Sequence, residues 1–159
     1  MNLLSKHALI FASLAIVIPQ GVNAAAPNAK LWNGTWHLNA AKSKFSPSTK
    51  EQSETRTYDI SGNKVTMKSS SKDAAGKELN FGYTAGYDGK WYPMVGNANA
   101  DQISLTPVSD REIKASAHFK GKPAVESTAT VSSDGKHLTI NRKMLRIKGA
   151  PTDVLEFDR

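Results

Sequence analysis

Cysteine is absent from this 159-residue chain, which excludes disulfides, thiol catalysis and thiolate metal sites. Other absences narrow the field. The chain carries no Gly-x-Ser-x-Gly elbow, no phosphate-binding loop and no dinucleotide fingerprint. Histidine is scarce: beyond His7 there are only His37, His118 and His137, without the close spacing of a metal-binding pair. No metal and no other cofactor is therefore expected. Internal repeats and low-complexity stretches are lacking too. The one long apolar run, Ala8 to Ile18 with only Ser13 interrupting it, is too short for the about 20 residues that cross a bilayer.

That run belongs to the first feature that is present. Met1 to His7 carries Lys6 and no acid, and Pro19 and Gly21 end the apolar stretch. Val22-Asn23-Ala24 then puts small residues at the two positions a signal peptidase reads. Residues 1–24 are read as a cleaved export signal, with Ala25 or Ala26 as alternative ends, and residues 25–159 as a single domain. No cysteine follows the run, so a lipoprotein anchor is excluded. A domain of this size buries roughly two-thirds of its unfolded surface, enough for a core without covalent staples. A cysteine-free exported chain fits a bacterial periplasm or exterior better than a eukaryotic secretory route.

The formal net charge is +7, one unit of which, Lys6, leaves with the signal. The charges are dispersed, which reads as a solvated basic exterior able to steer anionic ligands. The densest stretch, Arg142-Lys143-Met144-Leu145-Arg146-Ile147-Lys148, lacks the aromatic interleaving used to stack nucleic-acid bases. Nucleic acid is not expected as a partner.

From Gln52 onward the pattern is strand, turn, strand. Arg56, Tyr58 and Ile60 alternate with Thr55, Thr57 and Asp59, and Ser61-Gly62-Asn63 makes a turn. Val65, Met67 and Ser69 alternate with polar residues, and Asp73 to Lys77 turns again. Leu79, Phe81, Tyr83, Ala85 and Tyr87 fall on one face over nine residues of period two, the clearest strand in the chain. Asp88-Gly89 is a hairpin signal before a short strand at Trp91-Tyr92-Pro93. Gln102 to Val108, Ile113 to Phe119, Ala124 to Val131, His137 to Met144 and Val154 to Phe157 complete the series. Asn39 to Lys44 reads as briefly helical with Asn39 as N-cap, and Asn28 to Leu31 as a short disordered lead-in. The expectation is an all-β domain, an antiparallel up-and-down barrel of 8–10 strands able to hold one small ligand.

The run Gly34-Thr35-Trp36-His37-Leu38-Asn39-Ala40-Ala41-Lys42-Ser43-Lys44-Phe45-Ser46-Pro47 resembles the opening of a group of small exported bacterial proteins. Tyr87-Asp88-Gly89-Lys90-Trp91-Tyr92-Pro93, followed by Gly96 and Asp101, is similar to that group's second motif. The resemblance implies a lipocalin-like (calycin-type) β-barrel and brings with it no substrate and no catalytic residue. A strand opening at Gly34 places Trp36 and Leu38 on one face and Thr35 and His37 on the other. Trp36 is expected to plug one end of the barrel, Gly34 to permit close backbone approach, and a late arginine such as Arg142 or Arg146 to cap Trp36. His37 is expected in solvent.

The best functional cluster is aromatic. Phe81, Tyr83 and Tyr87 share a face, Trp91 and Tyr92 follow one hairpin later, and Tyr58 and Met67 extend the group. Facing inward, these would give a lumen apolar walls with phenolic hydroxyls to fix orientation; an ordinary packed core is the alternative. The first functional reading is a non-catalytic carrier or sensor of a small apolar or amphipathic molecule, with Arg142 or Arg146 drawing in an anionic head group. The second is an isomerase, cyclase or lyase using Tyr83, Tyr87 or His118 for proton transfer. The third is a protein-interaction module with a filled barrel.

Overall fold

The structure, a computed structural model, describes residues 25–46, 51–73 and 75–159. The export signal assigned to residues 1–24 lies outside the described residues. Ten strands follow a four-residue helix: α1 (Ala29–Trp32), β1 (Gly34–Leu38), β2 (Glu51–Ser61), β3 (Lys64–Asp73), β4 (Glu78–Gly86), β5 (Tyr92–Val95), β6 (Gln102–Ser109), β7 (Glu112–Phe119), β8 (Lys122–Val131), β9 (His137–Met144) and β10 (Thr152–Asp158). Every strand pairs antiparallel with its sequence neighbour, and β1 pairs with β10 through His37↔Asp158 and Leu38↔Phe157. The sheet is thereby a closed up-and-down barrel, which leaves no free edge.

The period-two residues become the inside of the barrel. Tyr58, Ile60, Val65, Met67, Ala85, Ile103, Leu105, Leu138, Ile140, Leu155 and Phe157 are all buried. The opposite face of β3 presents Lys64, Lys68, Ser70 and Lys72 to water, a charged surface unlike the apolar band that a membrane barrel turns to lipid. No helix among the described residues is long and apolar enough to cross a membrane. Two of the three prolines inside strands sit where the ladder is already irregular: the register shifts beside Pro107 in β6 and beside Pro123 in β8, where a missing N–H does least harm.

One end of the barrel is sealed. The lead-in is ordered, contrary to the sequence expectation: Asn28 caps α1 through its side chain, and the helix drives Trp32 into full burial. A turn this short leaves no periodicity to read. Trp32 Nε1 donates to the Asp110 carbonyl of the β6–β7 turn at 3.0 Å, and the Trp32 ring meets Tyr58 edge-on at 5.8 Å. Trp36, also fully buried, donates its Nε1 to the Trp32 carbonyl at 3.0 Å. The arginine over Trp36 is Arg159, its guanidinium carbon 3.9 Å from the ring centre, not Arg142 or Arg146. Because β1 pairs with β10, the last residue of the chain is carried to the first strand. Gly34 serves its positive φ of 123° and not a close approach, since a Cβ there would meet only Arg159 Nη1 at 3.9 Å. His37 is exposed, as expected.

Asn39 to Lys44 makes one turn, not a helix. Asn39 Oδ1 does accept from the Lys42 N–H at 3.1 Å, but Lys44 then bridges to Val154 and pulls the chain back to extended geometry. The Asp88-Gly89 connection is also wider than a two-residue hairpin. Gly89 donates its N–H to Leu105 across the barrel end, and Asp88 Oδ1 accepts from the Lys90 N–H.

Candidate functional site

A cavity of about 370 Å³ occupies the lumen above the sealed end. Its existence follows from unequal side chains on opposing walls. On β7 and β8 the inward positions include Ala115, Ala117, Ala124 and Ala129, whereas β4 contributes Phe81 and Tyr83, with Tyr87 just past its end. Small residues facing large ones leave space that neither wall fills. Trp32, Tyr58 and Met67 contribute near the floor. At the other end the lining passes to the β5–β6 loop, Gly96 to Ala100, and to Arg146 and Ile147 of the β9–β10 connection. Arg146 lies with its guanidinium 4.2 Å from the Phe119 ring centre and donates to the Asn99 carbonyl at 3.3 Å.

Of the three phenols that line the cavity, Tyr83 and Tyr87 are held protonated. Burial first, then neighbouring Tyr58 and Tyr87, pushes Tyr83 well above its ordinary ionisation, with Arg56 pulling weakly the other way. Burial, then Tyr58, raises Tyr87 in the same sense. The Tyr87 hydroxyl is buried and has no hydrogen-bond partner among the described residues. At neutral pH both side chains are donors, not bases.

Two ion pairs are built into the wall, and sequence reasoning missed most of their members. On β2 the inward side chains are Glu54, Arg56 and Tyr58, and Arg56 Nε donates to Glu54 Oε1 at 2.6 Å. The same oxygen accepts from Ser69 Oγ at 2.6 Å, across the Arg56↔Ser69 register of β2 and β3. The Arg56 guanidinium is further flanked by the Phe81 and Phe157 rings, at 5.9 and 5.2 Å. Burial opposes its charge, but Glu54 and Tyr58 outweigh that and hold it above its ordinary value. In the second pair, Arg142 Nη2 and Nε both donate to Asp153 Oδ2, at 2.9 and 3.3 Å. Asp153 is fully buried, and its Oδ1 accepts from the Ser46 N–H at 2.7 Å. The available signal was register: Arg56 shares a face with Tyr58 and Ile60, and Asp153 precedes Leu155 and Phe157 at period two.

Of the residues singled out from sequence, Tyr58, Met67, Phe81, Tyr83, Tyr87 and Arg142 all line the cavity. Trp91, Tyr92 and His118 do not. Trp91 is 41% exposed and stacks on His118, ring centres 3.6 Å apart; His118 shares the outer face with Lys114 and Ser116. Tyr92 packs over Gly86 and donates its hydroxyl to Asp88 Oδ2 at 2.9 Å. Trp91 precedes β5 and His118 takes the outer face of β7, whereas Tyr92, partly buried against the core, spends its hydroxyl on Asp88. Asp88 and Gly89 shape the turn before β5, Gly89 at φ 71°. Among the described residues, no group of three or more His, Asp or Glu side chains gathers to hold a metal ion.

No protein-family model matches this chain, and no curated protein matches it at a significant level.

Proposed function

We propose that this protein is an exported binding barrel that takes one small, mainly apolar molecule into its lumen as carrier or sensor. The observation that carries the reading is the cavity itself. It is closed at one end by Trp32 and Trp36, walled by alanines against aromatics, and approached from the other end past Arg146. About 370 Å³ lies within the roughly 300–1,000 Å³ of small-molecule sites, and apolar walls with a few oriented hydroxyls are their usual composition. Tyr83 and Tyr87, fixed as donors, suit a ligand that carries an acceptor. A filled interaction module would not leave this volume, and Tyr83 and Tyr87 are held as neutral phenols chiefly by burial. Export rests on the apolar run and small-residue cleavage site of residues 1–24.

The test uses an uncharged environment-sensitive dye, N-phenyl-1-naphthylamine, and the substitution Ala129→Trp. Ala129 lines the cavity and is only partly buried where it packs against the core, so a large ring there projects into the lumen and takes up its space. The dye is expected to brighten with the parent protein and to lose roughly tenfold or more in affinity with Ala129→Trp, a change of about 1.4 kcal/mol or more. Undiminished binding by a folded Ala129→Trp protein would place the dye elsewhere and reject the lumen as the site.

A further inference from the structure

Arg56 and Arg142, two of the three arginines that line the cavity, are where an acidic head group would be sought, and the sequence points to Arg142 or Arg146 for that role. Each is already answered. Glu54 holds Arg56 from behind the cavity lining, and Asp153 holds Arg142 through two N–H groups on one oxygen. Both carboxylates are anchored independently of any ligand. Ser69 donates to Glu54, and the Ser46 backbone N–H donates to Asp153. Glu54 is 3% exposed and Asp153 fully buried, so neither can swing out to yield its arginine to an incoming anion.

We infer that the lumen selects uncharged ligands, and that Glu54 and Asp153 are the residues that set this specificity by neutralising its arginines. The inference rests on the lumen being the binding site. An anion entering beside Arg56 would meet the field of a dipole, not of a free cation, with a buried carboxylate a few ångströms further back. It would also shed its hydration on entering an apolar chamber, a cost that only an uncompensated cation repays. A neutral molecule pays no such cost and still finds donors in the Tyr83 and Tyr87 hydroxyls. Arg146 does not alter this balance, because it lies exposed at the mouth where water and salt screen it. The basic exterior therefore does not announce an acidic cargo.

A matched pair of dyes tests the point: N-phenyl-1-naphthylamine and 8-anilino-1-naphthalenesulfonate, which differ by a single sulfonate. The parent protein is expected to favour the uncharged member. Glu54→Gln preserves shape and removes the compensating charge, and should raise the ratio of anionic to neutral affinity roughly tenfold or more, the scale of one unanswered charge in a partly buried site. Asp153→Asn should move the ratio the same way, and it decides the matter if Glu54→Gln does not fold. Equal or tighter binding of the sulfonate by the parent protein, or an unmoved ratio in folded variants, overturns the inference while leaving the lumen as the site. Failure of both dyes to bind the parent protein overturns the binding reading itself, and the inference with it.

Discussion

Tyr83 and Tyr87 show how surroundings, not residue type, set what a side chain can do. Both phenols are held protonated, chiefly by burial, so their folded-state ionisation lies above the ordinary 10.0 that applies once the chain unfolds. The sign follows directly: their contribution to stability is complete below pH 10.0 and is lost as pH rises from there through the folded value. In an alkaline titration the phenolate absorbance of these two is expected to appear only as the folded circular dichroism disappears. Tyr83→Phe and Tyr87→Phe identify their shares of the signal. Ionisation of both near pH 10.0 in a still-folded barrel would contradict the assignment. The two tyrosines were legible from period-two spacing alone. Glu54 and Asp153 were not, because a buried carboxylate looks like a surface residue until its partners are known. Those partners are tertiary: Ser69 lies on the next strand, Arg142 across a hairpin and Ser46 on a distant loop.

At the scale of elements, alternation marked nearly every strand, since a barrel wall with a wet outside and a buried inside must repeat every two residues. It failed where length fell below a readable period. Helix α1 is one turn, held by the Asn28 cap and the burial of Trp32, and one turn carries no pattern. Strand β5 was found, but not its consequence. It contributes two registered pairs to β4 and two to β6, against nine or ten between its longer neighbours β2, β3 and β4. The barrel is thus thinly paired at β5, as it is at the β1–β10 seam, and the Gly96–Ala100 loop follows β5 into the cavity mouth. Opening there breaks few bonds and exposes little core, so amides of 92–100 should exchange with solvent well before those of β2 and β3. Hydrogen-exchange mass spectrometry reads this directly. Uniform protection around the ring would show that β5 is held by more than its ladder.

The whole molecule is asymmetric along the barrel axis. Helix α1 and Arg159 meet at one pole, where α1 docks on the β6–β7 turn and Arg159 reaches back over Trp36 and donates to the Leu31 and Asn33 carbonyls. That pole is closed by aromatic packing, so passage to the lumen is left to the opposite one. There the described residues include a polar contact across the mouth. Arg146, from the β9–β10 connection, crosses to the Asn99 carbonyl of the β5–β6 loop while resting on Phe119. An exposed hydrogen bond of this kind contributes about 1 kcal/mol or less, small against the stability of the fold but large enough to set how often the mouth opens. Arg146→Ala removes the strap and changes the lining only at its exposed rim. It should raise the association and dissociation rates of N-phenyl-1-naphthylamine together, by roughly fivefold for a barrier lowered by about 1 kcal/mol, with little change in their ratio. Stopped-flow mixing separates the outcomes. Equal acceleration of both rates identifies a gate, whereas a rise in dissociation alone makes Arg146 part of the binding surface. Unchanged rates would mean that the ligand enters elsewhere, with the thinly paired flank at β5 the next place to look.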